Sequence, residues 1–210
     1  MGRNLRQYNW DNKPTVDPGD FVPMPAGGYV CKILDANFGK SKASGNEMLI
    51  LKIDVAEGDF TNNFTNTVAR FNQENWPNAA TYRQMLLDKQ GEADSRFKGL
   101  IRILQECNPG FVANIDDFDE KVLVGKMCGF VFGDEEYPKQ DKSVGIRAAV
   151  RTPKLLDDIR KGNFKIPPLK KLDADKSSTY QRTNQYAEPP ESPETPSPVG
   201  VPIDLDDPPF

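Results

Sequence analysis

The stretch that decides the fold is Met48-Leu49-Ile50-Leu51-Lys52-Ile53-Asp54-Val55-Ala56. Its odd-numbered positions are all apolar, whereas Lys52 and Asp54 stand among the even-numbered positions. An alternation with a period of two predicts a β-strand that buries one face in a core. Glu57-Gly58-Asp59 follows, and these residue types favour a turn. We therefore expect a protein built mainly from β-strands.

Four further segments have the composition of strands, because β-branched or aromatic side chains alternate along them. In chain order they are Tyr29 to Asn37, Phe64 to Phe71, Leu123 to Phe132 and Val144 to Thr152. Ser44-Gly45-Asn46 marks a turn between the first two of the five predicted strands. The charged residues 133–143 are predicted to form the loop between the last two.

One helix is predicted from Asp94 or Ser95 to Cys107. Apolar side chains recur along it at three-to-four spacing, at Phe97, Leu100, Ile101 and Leu104. Either Asp94 or Ser95 can cap its first turn, and Asn108-Pro109-Gly110 ends it. The polar region before this helix, residues 72–94, contains a second and shorter helix candidate at Thr81 to Leu87.

The predicted order is three strands, a helix and two strands. This is the order of the OB-fold, a five-stranded Greek-key barrel. SH3-like barrels and mixed α+β sheets remain alternatives. We predict a mainly β protein: an OB-fold-like five-stranded barrel with a helix between strands 3 and 4, followed by a disordered acidic C-terminal tail.

The charge of the 210-residue chain divides unevenly. The whole sequence has 27 basic and 31 acidic residues, a formal net charge of −4. Residues 173–210 hold eight of the acids and two of the bases, a net charge of −6, so residues 1–172 carry a net charge of +2. A slightly basic body joined to an acidic tail suggests a nucleic-acid partner and an interaction tail. A globular domain with a solubilising tail is the alternative.

Proline defines the boundaries near the C-terminus. Eight of the 18 prolines fall between Pro189 and Pro209, among Ser, Thr and Glu. Such a composition offers too little apolar surface to offset the entropy of ordering. We predict an N-terminal arm at 1–25, an OB-fold-like domain at 26–172, a disordered linker at 173–203 and an acidic tip at 204–210.

The absence of histidine and the wide spacing of the cysteines exclude several classes of catalytic and metal site. The chain has no histidine, which removes His-based catalytic triads and HExxH zinc sites. Its three cysteines form no CxxC pair, so a zinc ribbon and a redox motif lack support. No apolar run reaches the ~18 residues of a membrane span, and no signal peptide is visible. We expect a cytoplasmic protein that does not associate with membranes.

A protein that binds single-stranded nucleic acid without sequence preference needs cations for the phosphates and exposed rings on which bases stack. In OB-folds these lie on the face of strands two and three and in the loops that join strands one to two and four to five. The candidates are Lys40 and Lys42 in the first loop, Lys52 and Arg70 on the polar faces of strands two and three, Tyr137 and Lys139 in the second loop, and Arg147 and Arg151 on one side of strand five. A surface Lys or Arg is more often only solvated, and Arg147 with Arg151 is the best candidate pair. The segment Arg3 to Trp10 also mixes cations with rings, as either a binding arm or a packed strap.

Apparent catalytic signals fail on inspection. Gly39-Lys40-Ser41 imitates the end of a phosphate-binding loop, but Leu34 stands where that loop needs its first glycine. Two acidic groups lack the spacing of an EF-hand and leave a metal-dependent nuclease as the less favoured enzyme alternative. These groups are Asp116, Asp117, Asp119 and Glu120, and Asp134, Glu135 and Glu136. We predict no enzymatic activity, no cofactor and no metal.

The tip reads Asp204-Leu205-Asp206-Asp207-Pro208-Pro209-Phe210. It resembles the C-terminal tip of bacterial single-stranded DNA-binding proteins and departs from it in having Pro208 where Ile is usual. The resemblance implies that Asp204, Leu205, Asp206, Asp207, Pro209 and Phe210 bind a partner protein. Carboxylates can pair with a basic rim, where Arg is well suited, while the Phe210 ring fills an apolar pocket.

Several short motifs follow one another between about residues 25 and 168. They are Pro25-Ala26-Gly27-Gly28-Tyr29, Ser44-Gly45-Asn46-Glu47-Met48, Phe97-Lys98-Gly99-Leu100-Ile101, Leu123-Val124-Gly125-Lys126, Gly133-Asp134-Glu135-Glu136-Tyr137 and Ile159-Arg160-Lys161-Gly162-Asn163-Phe164. Through the order of these motifs, the body resembles a family of phage-encoded single-stranded DNA-binding proteins from replication and recombination gene clusters.

This resemblance implies a non-catalytic protein of the host-cell cytoplasm that coats and protects single-stranded DNA during phage replication or recombination. Its tip would recruit a helicase, primase, polymerase, nuclease or recombinase. An OB-like adaptor that binds protein or RNA is the alternative, because a fold alone does not fix a ligand. The sequence leaves open whether the protein is a homo-oligomer.

Overall fold

The computed structural model describes Arg6 and residues 22–42, 44–139, 141–172 and 181–182. Of the predicted N-terminal arm, only Arg6 and residues 22–25 fall within these ranges. The predicted linker lies outside them apart from residues 181–182, and the predicted tip lies outside them entirely.

The described chain contains six strands and three helices, together with two one-turn 3₁₀ helices. The strands are β1 (Gly27–Lys40), β2 (Glu47–Val55), β3 (Thr81–Met85), β4 (Met127–Pro138), β5 (Ser143–Lys154) and β6 (Gln181–Arg182). The helices are α1 (Asn63–Phe71), α2 (Ser95–Cys107) and α3 (Leu156–Arg160). The 3₁₀ helices are Asn78–Ala80 and Glu120–Leu123. None of the helices described is long and apolar enough to cross a membrane.

One sheet contains all the strands, in the order β3-β2-β1-β4-β5-β6. Strands β1 to β5 pair antiparallel, and the two-residue β6 joins β5 in parallel. Strands β3 and β5 approach within 8 Å between Cα atoms, but no ladder joins them in the described chain. The predicted mainly β fold, with five strands and a helix between the third and fourth, is confirmed. The sheet is open between β3 and β5, as in the partly open OB barrel.

The alternating pattern of β2 builds the core. Leu49, Leu51 and Ile53 are fully buried, as the period of two predicts. Helix α2 adds Leu100 and Leu104 to the same cluster, so its apolar stripe lies against the inner face of the sheet. We call the opposite side of the sheet, which carries the even-numbered positions of β2, the outer face.

The predicted third strand at Phe64 to Phe71 is wrong, because these residues form helix α1. The Asp54 carboxylate accepts hydrogen bonds from the backbone N–H groups of Phe64 (2.9 Å) and Thr65 (2.8 Å), in the first turn of that helix. The Phe64 ring stacks on Phe132, with centroids 5.9 Å apart. A buried carboxylate from a distant strand thus satisfies the helix terminus and overrides the local preference for strand.

The helix predicted at Thr81 to Leu87 is also wrong, because Thr81–Met85 is β3. Its register against β2 runs from Met48↔Met85 to Lys52↔Thr81. Tyr82 and Gln84 point inward and are buried, whereas Arg83 is exposed on the outer face. The fold therefore keeps three strands before α2, with the third later in the chain than predicted.

Strands β4 and β5 continue beyond the rest of the sheet. The pairing of β4 with β1 ends at Gly27↔Phe132, but its pairing with β5 continues to Pro138↔Val144. Most of the predicted 133–143 loop is therefore strand, and only residues 139–142 remain as the turn. We call residues 133–151 the hairpin arm.

The chain after β5 folds back over the outer face. Ile159 of α3 packs with Val30 and Val131, and Phe164 joins them. A Cβ atom at Gly28 would lie 2.4 Å from the Phe164 ring, so glycine is required for this close approach. We call residues 161–172 the C-terminal strap. At its end Lys170 forms a parallel bridge with Glu135, along the edge of β4 that β1 leaves free.

Candidate nucleic-acid interface

The outer face of β2 and β3 carries two cations near its middle. Lys52 lies opposite Thr81, and Arg83 lies opposite Ile50. The Arg83 side chain is exposed and donates a 2.8 Å hydrogen bond to Asn78 Oδ1. The sequence prediction included Lys52 but missed Arg83, because the segment around Arg83 had been assigned to a polar helix.

Lys52 belongs to a cluster in which two lysines share one carboxylate. Lys52 Nζ lies 3.0 Å from Asp35 Oδ2, and Lys121 Nζ lies 3.3 Å from Asp35 Oδ1. Lys121 Nζ also donates to the backbone oxygen of Ala36 and to Asn37 Oδ1. The hydrogen bond from Lys52, reinforced by those from Asn37 and Lys121, lowers the pKa of Asp35 to about 2. The cluster has a net charge of +1 and holds its lysines in place.

Lys40 and Lys42 lie at the turn between β1 and β2, as predicted, and both are exposed. The turn is closed by two backbone hydrogen bonds between Ser41 and its partners Asn46 (2.9 Å) and Gly45 (2.8 Å). Nearby Phe38 is 42% exposed and packs against Phe118, with ring centroids 6.1 Å apart. This end of the sheet therefore presents a partly exposed ring within four residues of two exposed lysines.

The hairpin arm carries a second cluster of two cations around one carboxylate. Arg147 lies directly across the ladder from Glu135 and its Nη2 atom is 2.9 Å from Glu135 Oε1. Arg151 Nη1 lies 3.3 Å from the other oxygen, Oε2. The predicted pair, Arg147 and Arg151, is therefore brought together on one side of β5. Because Glu135 neutralises one of the two guanidinium charges, the cluster also has a net charge of +1.

The Tyr137 ring lies beside this cluster. The Arg147 guanidinium carbon is 4.9 Å from the Tyr137 ring centroid, within the range of a cation–π contact. A Cβ atom at Gly145 would lie 2.7 Å from both the Tyr137 ring and the Lys139 side chain, so both side chains lie over that glycine. Four predicted residues, Tyr137, Lys139, Arg147 and Arg151, thus share one side of the hairpin arm.

Arg70 lies elsewhere than predicted. It was expected on the polar face of strand three, but it stands in the last turn of α1, with its guanidinium carbon 5.8 Å from the Phe71 ring centroid. The error follows from the wrong assignment of Phe64 to Phe71 as a strand. Arg70 therefore lies on a helix, and not on the strand face that had suggested a place in the groove.

The C-terminal strap contributes cations that the sequence prediction missed. Residues 161–172 contain four lysines and no acidic residue, which is the signal that could have found them. Pro167 and the Arg151 side chain would both lie 3.3 Å from a Cβ atom at Gly133, so the strap crosses the hairpin arm next to Arg151. The strap therefore lies directly against the arm beside Arg151.

Two acidic residues of the arm accept hydrogen bonds from the strap, Glu136 through its side chain and Asp134 through its backbone carbonyl. Glu136 Oε2 accepts a 3.0 Å hydrogen bond from the backbone N–H of Leu172, and the Asp134 carbonyl accepts one from Lys170. Within the described ranges, no group of three or more Cys, Asp or Glu residues could hold a metal ion. Arg147 and Arg151 beside the Tyr137 ring suit the binding of anions and the stacking of rings.

Comparison with protein families gives a match over the first part of the chain. Residues 11–93 match the family DUF669, which is described as a protein of unknown function. The matched range includes β1, β2, α1 and β3, and it ends before α2. No curated protein matches the chain.

Proposed function

We propose that the protein is a non-catalytic single-stranded DNA-binding protein. It coats and protects exposed strands during phage replication or recombination and recruits partner proteins through Asp204–Phe210. The observation that carries the proposal is the side of the hairpin arm on which the Tyr137 ring lies beside Arg147, Arg151 and Lys139. Cations beside a partly exposed ring are what a single strand requires, since phosphates need charge and bases need a flat apolar face.

The position of this surface in the fold supports the same ligand. In OB-folds the binding groove runs across strands two and three and between the two loops that join strands one to two and four to five. Here Lys52 and Arg83 occupy the outer face of β2 and β3. Lys40 and Lys42 stand in the first of those loops, and Lys139 stands in the second. Cations are therefore present along the whole length expected of a groove.

The test is a binding titration by fluorescence anisotropy with labelled oligo-dT, at several salt concentrations. We expect binding that weakens steeply with salt, because phosphate contacts release counterions. Unlabelled single-stranded DNA should compete better than duplex DNA or RNA of the same length. Arg147→Gln should weaken binding several-fold, whereas the matched control Arg102→Gln, on the exposed side of α2, should leave it unchanged.

Three outcomes would contradict the proposal. No binding to oligo-dT at low salt, with residues 204–210 removed, would exclude a DNA-binding role. Stronger competition by RNA would favour an OB-like adaptor that binds RNA. Cleavage of the labelled strand by the pure protein in the presence of Mg²⁺ would identify a nuclease.

A further inference from the structure

The C-terminal strap holds its backbone rigidly while exposing its charges. Phe164 is seated over Gly28, Pro167 lies beside Arg151, and the backbone of Lys170 pairs with β4. Two successive prolines, Pro167 and Pro168, restrict the backbone between these anchor points. The strap therefore does not have to be ordered when a ligand binds, which lowers the entropic cost of binding.

Three of its lysines are available to a ligand. Lys165, Lys170 and Lys171 are exposed, and none of them forms an ion pair with any residue in the described part of the chain. The fourth, Lys161, pairs with Asp157. The strap thus differs from the arm, where Glu135 already engages both arginines. Its three lysines retain their full charge for phosphate.

Exposed apolar side chains separate these lysines. Ile166 is 53% exposed and Leu169 is 40% exposed, and both lie between Lys165 and Lys170. Apolar groups between cations suit a strand whose phosphates alternate with sugars and bases. Lysine is a flexible point charge and needs no fixed bidentate geometry, so it can follow an irregular single strand.

We propose that the C-terminal strap is a second phosphate-binding segment, which lengthens the single-strand site beyond the hairpin arm. This inference rests on the proposed function. In this arrangement, the single DNA strand that contacts Arg147 and Tyr137 continues past Arg151 and along Lys165, Lys170 and Lys171. Short strands fill the surface of the arm alone, and longer strands gain the contacts of the strap.

The experiment compares two triple variants of the full chain with the wild-type protein. The strap variant is Lys165→Gln, Lys170→Gln and Lys171→Gln. The control variant is Lys89→Gln, Lys98→Gln and Arg102→Gln, which removes the same charge from exposed positions before and within α2. Binding to oligo-dT of graded length is measured at several salt concentrations, and thermal unfolding checks that all three proteins are folded.

The strap variant should bind the shortest bound oligonucleotides as the wild-type protein does. It should lack the increase in affinity that the wild-type protein shows with longer ones. On long strands, the slope of log K against log salt should fall by about 2, because each lost lysine–phosphate contact on single strands contributes about 0.7. The control should follow the wild-type protein at every length.

An equal loss at all lengths, no loss at any length, or the same loss in the control would each overturn the inference while leaving the proposed function intact. If the wild-type protein bound no oligonucleotide of any length, the proposed function would fail, and the strap inference would fail with it.

Discussion

Asp54 shows how one buried carboxylate decides the conformation of a distant segment. It is 2% exposed, and its two oxygens accept three backbone N–H groups, from Val55, Phe64 and Thr65. Asn62, at the N-cap of α1, makes no side-chain cap of its own. Asp54 therefore performs the capping role from β2, where a negative charge is also favoured by the helix dipole.

We expect Asp54→Ala to lower the free energy of unfolding by about 3 kcal/mol, because it leaves buried N–H groups without an acceptor. Asp54→Asn keeps one acceptor oxygen and should lose less. The exposed Asp59→Ala is the control and should change stability by less than about 0.5 kcal/mol. Urea denaturation measures all three, and equal stabilities of Asp54→Ala and Asp59→Ala would contradict the capping role.

Asp35 makes stability depend on pH in a defined direction. Its pKa in the folded protein is lowered to about 2, below the value of about 3.9 for an unfolded chain. Its contribution is therefore fully present above about pH 4 and is lost as the pH falls towards 2. Asp35→Asn should be less stable than wild type at pH 7, and the difference should shrink between pH 4 and pH 2. Urea denaturation across this range tests it; a constant difference would count against the Asp35 cluster.

Substitutions at Tyr137 test whether its ring stacks on a base. Tyr137→Leu should weaken oligo-dT binding by about 5- to 150-fold, which corresponds to the ~1–3 kcal/mol of one base–ring stack. Tyr137→Phe keeps the ring and should bind almost as tightly as the wild-type protein. Anisotropy titrations at fixed salt measure both. Similar losses in the two variants would assign the effect to the hydroxyl group and exclude stacking.

At the scale of elements, the sequence predicted what short-range patterns determine. Strand β2 and helix α2 were identified correctly because their periods, and the cap at Asp94, are local. The sequence predicted a strand at Phe64 to Phe71, which is helical because Asp54 binds its first turn. It predicted a helix at Thr81 to Leu87, which contains a strand because this segment pairs with β2. The candidate site follows the same division. Arg147 was found from strand parity and Tyr137 from its place in a predicted loop, whereas the strap was missed because its position depends on long-range packing.

Gly129 lies at the contact between α3 and the sheet, and Gly99 in α2 serves as its control. A Cβ atom at Gly129 would lie 2.5 Å from Ile159 and 2.8 Å from the backbone oxygen of Lys154, so Gly129→Ala must push α3 away. We expect a loss of about 1–3 kcal/mol in unfolding free energy. Gly99→Ala, in α2 with open space around it, should instead stabilise the protein by about 0.5–1 kcal/mol. Thermal unfolding compares them, and two shifts of the same sign would contradict this account.

At the scale of the whole molecule, the division of charge connects the two proposed activities. Residues 173–210 carry a net charge of −6, and residues 1–172 a net charge of +2. An acidic segment tethered to a basic surface competes with DNA at an effective concentration set by its linker. Deleting residues 204–210 should therefore strengthen single-strand binding at low salt and abolish the recruitment of replication or repair proteins.

Two variants distinguish the effect of the charge of Asp204–Phe210 from the effect of the Phe210 ring. Replacing Asp204, Asp206 and Asp207 by Asn should reproduce the stronger DNA binding, because it removes the competing charge. Phe210→Ala should leave DNA binding unchanged and lose only the partner, because the ring is proposed to fill the partner's pocket. Anisotropy and affinity capture with the two variants measure these effects. Unchanged DNA affinity together with unchanged capture in the deletion variant would reject the proposed role of these residues.

The backbone of the C-terminal strap has a further consequence that does not depend on its lysines. Lys170 pairs with Asp134 and Glu136 along one side of the hairpin arm, and Gln181–Arg182 pairs with Ser143 and Val144 along the other. Unpaired strand edges recruit strands from other molecules. A chain shortened before Lys170 would uncover such an edge and would be prone to aggregate through it. We therefore expect the strap, which covers part of this edge, to limit the addition of neighbouring copies to the sheet.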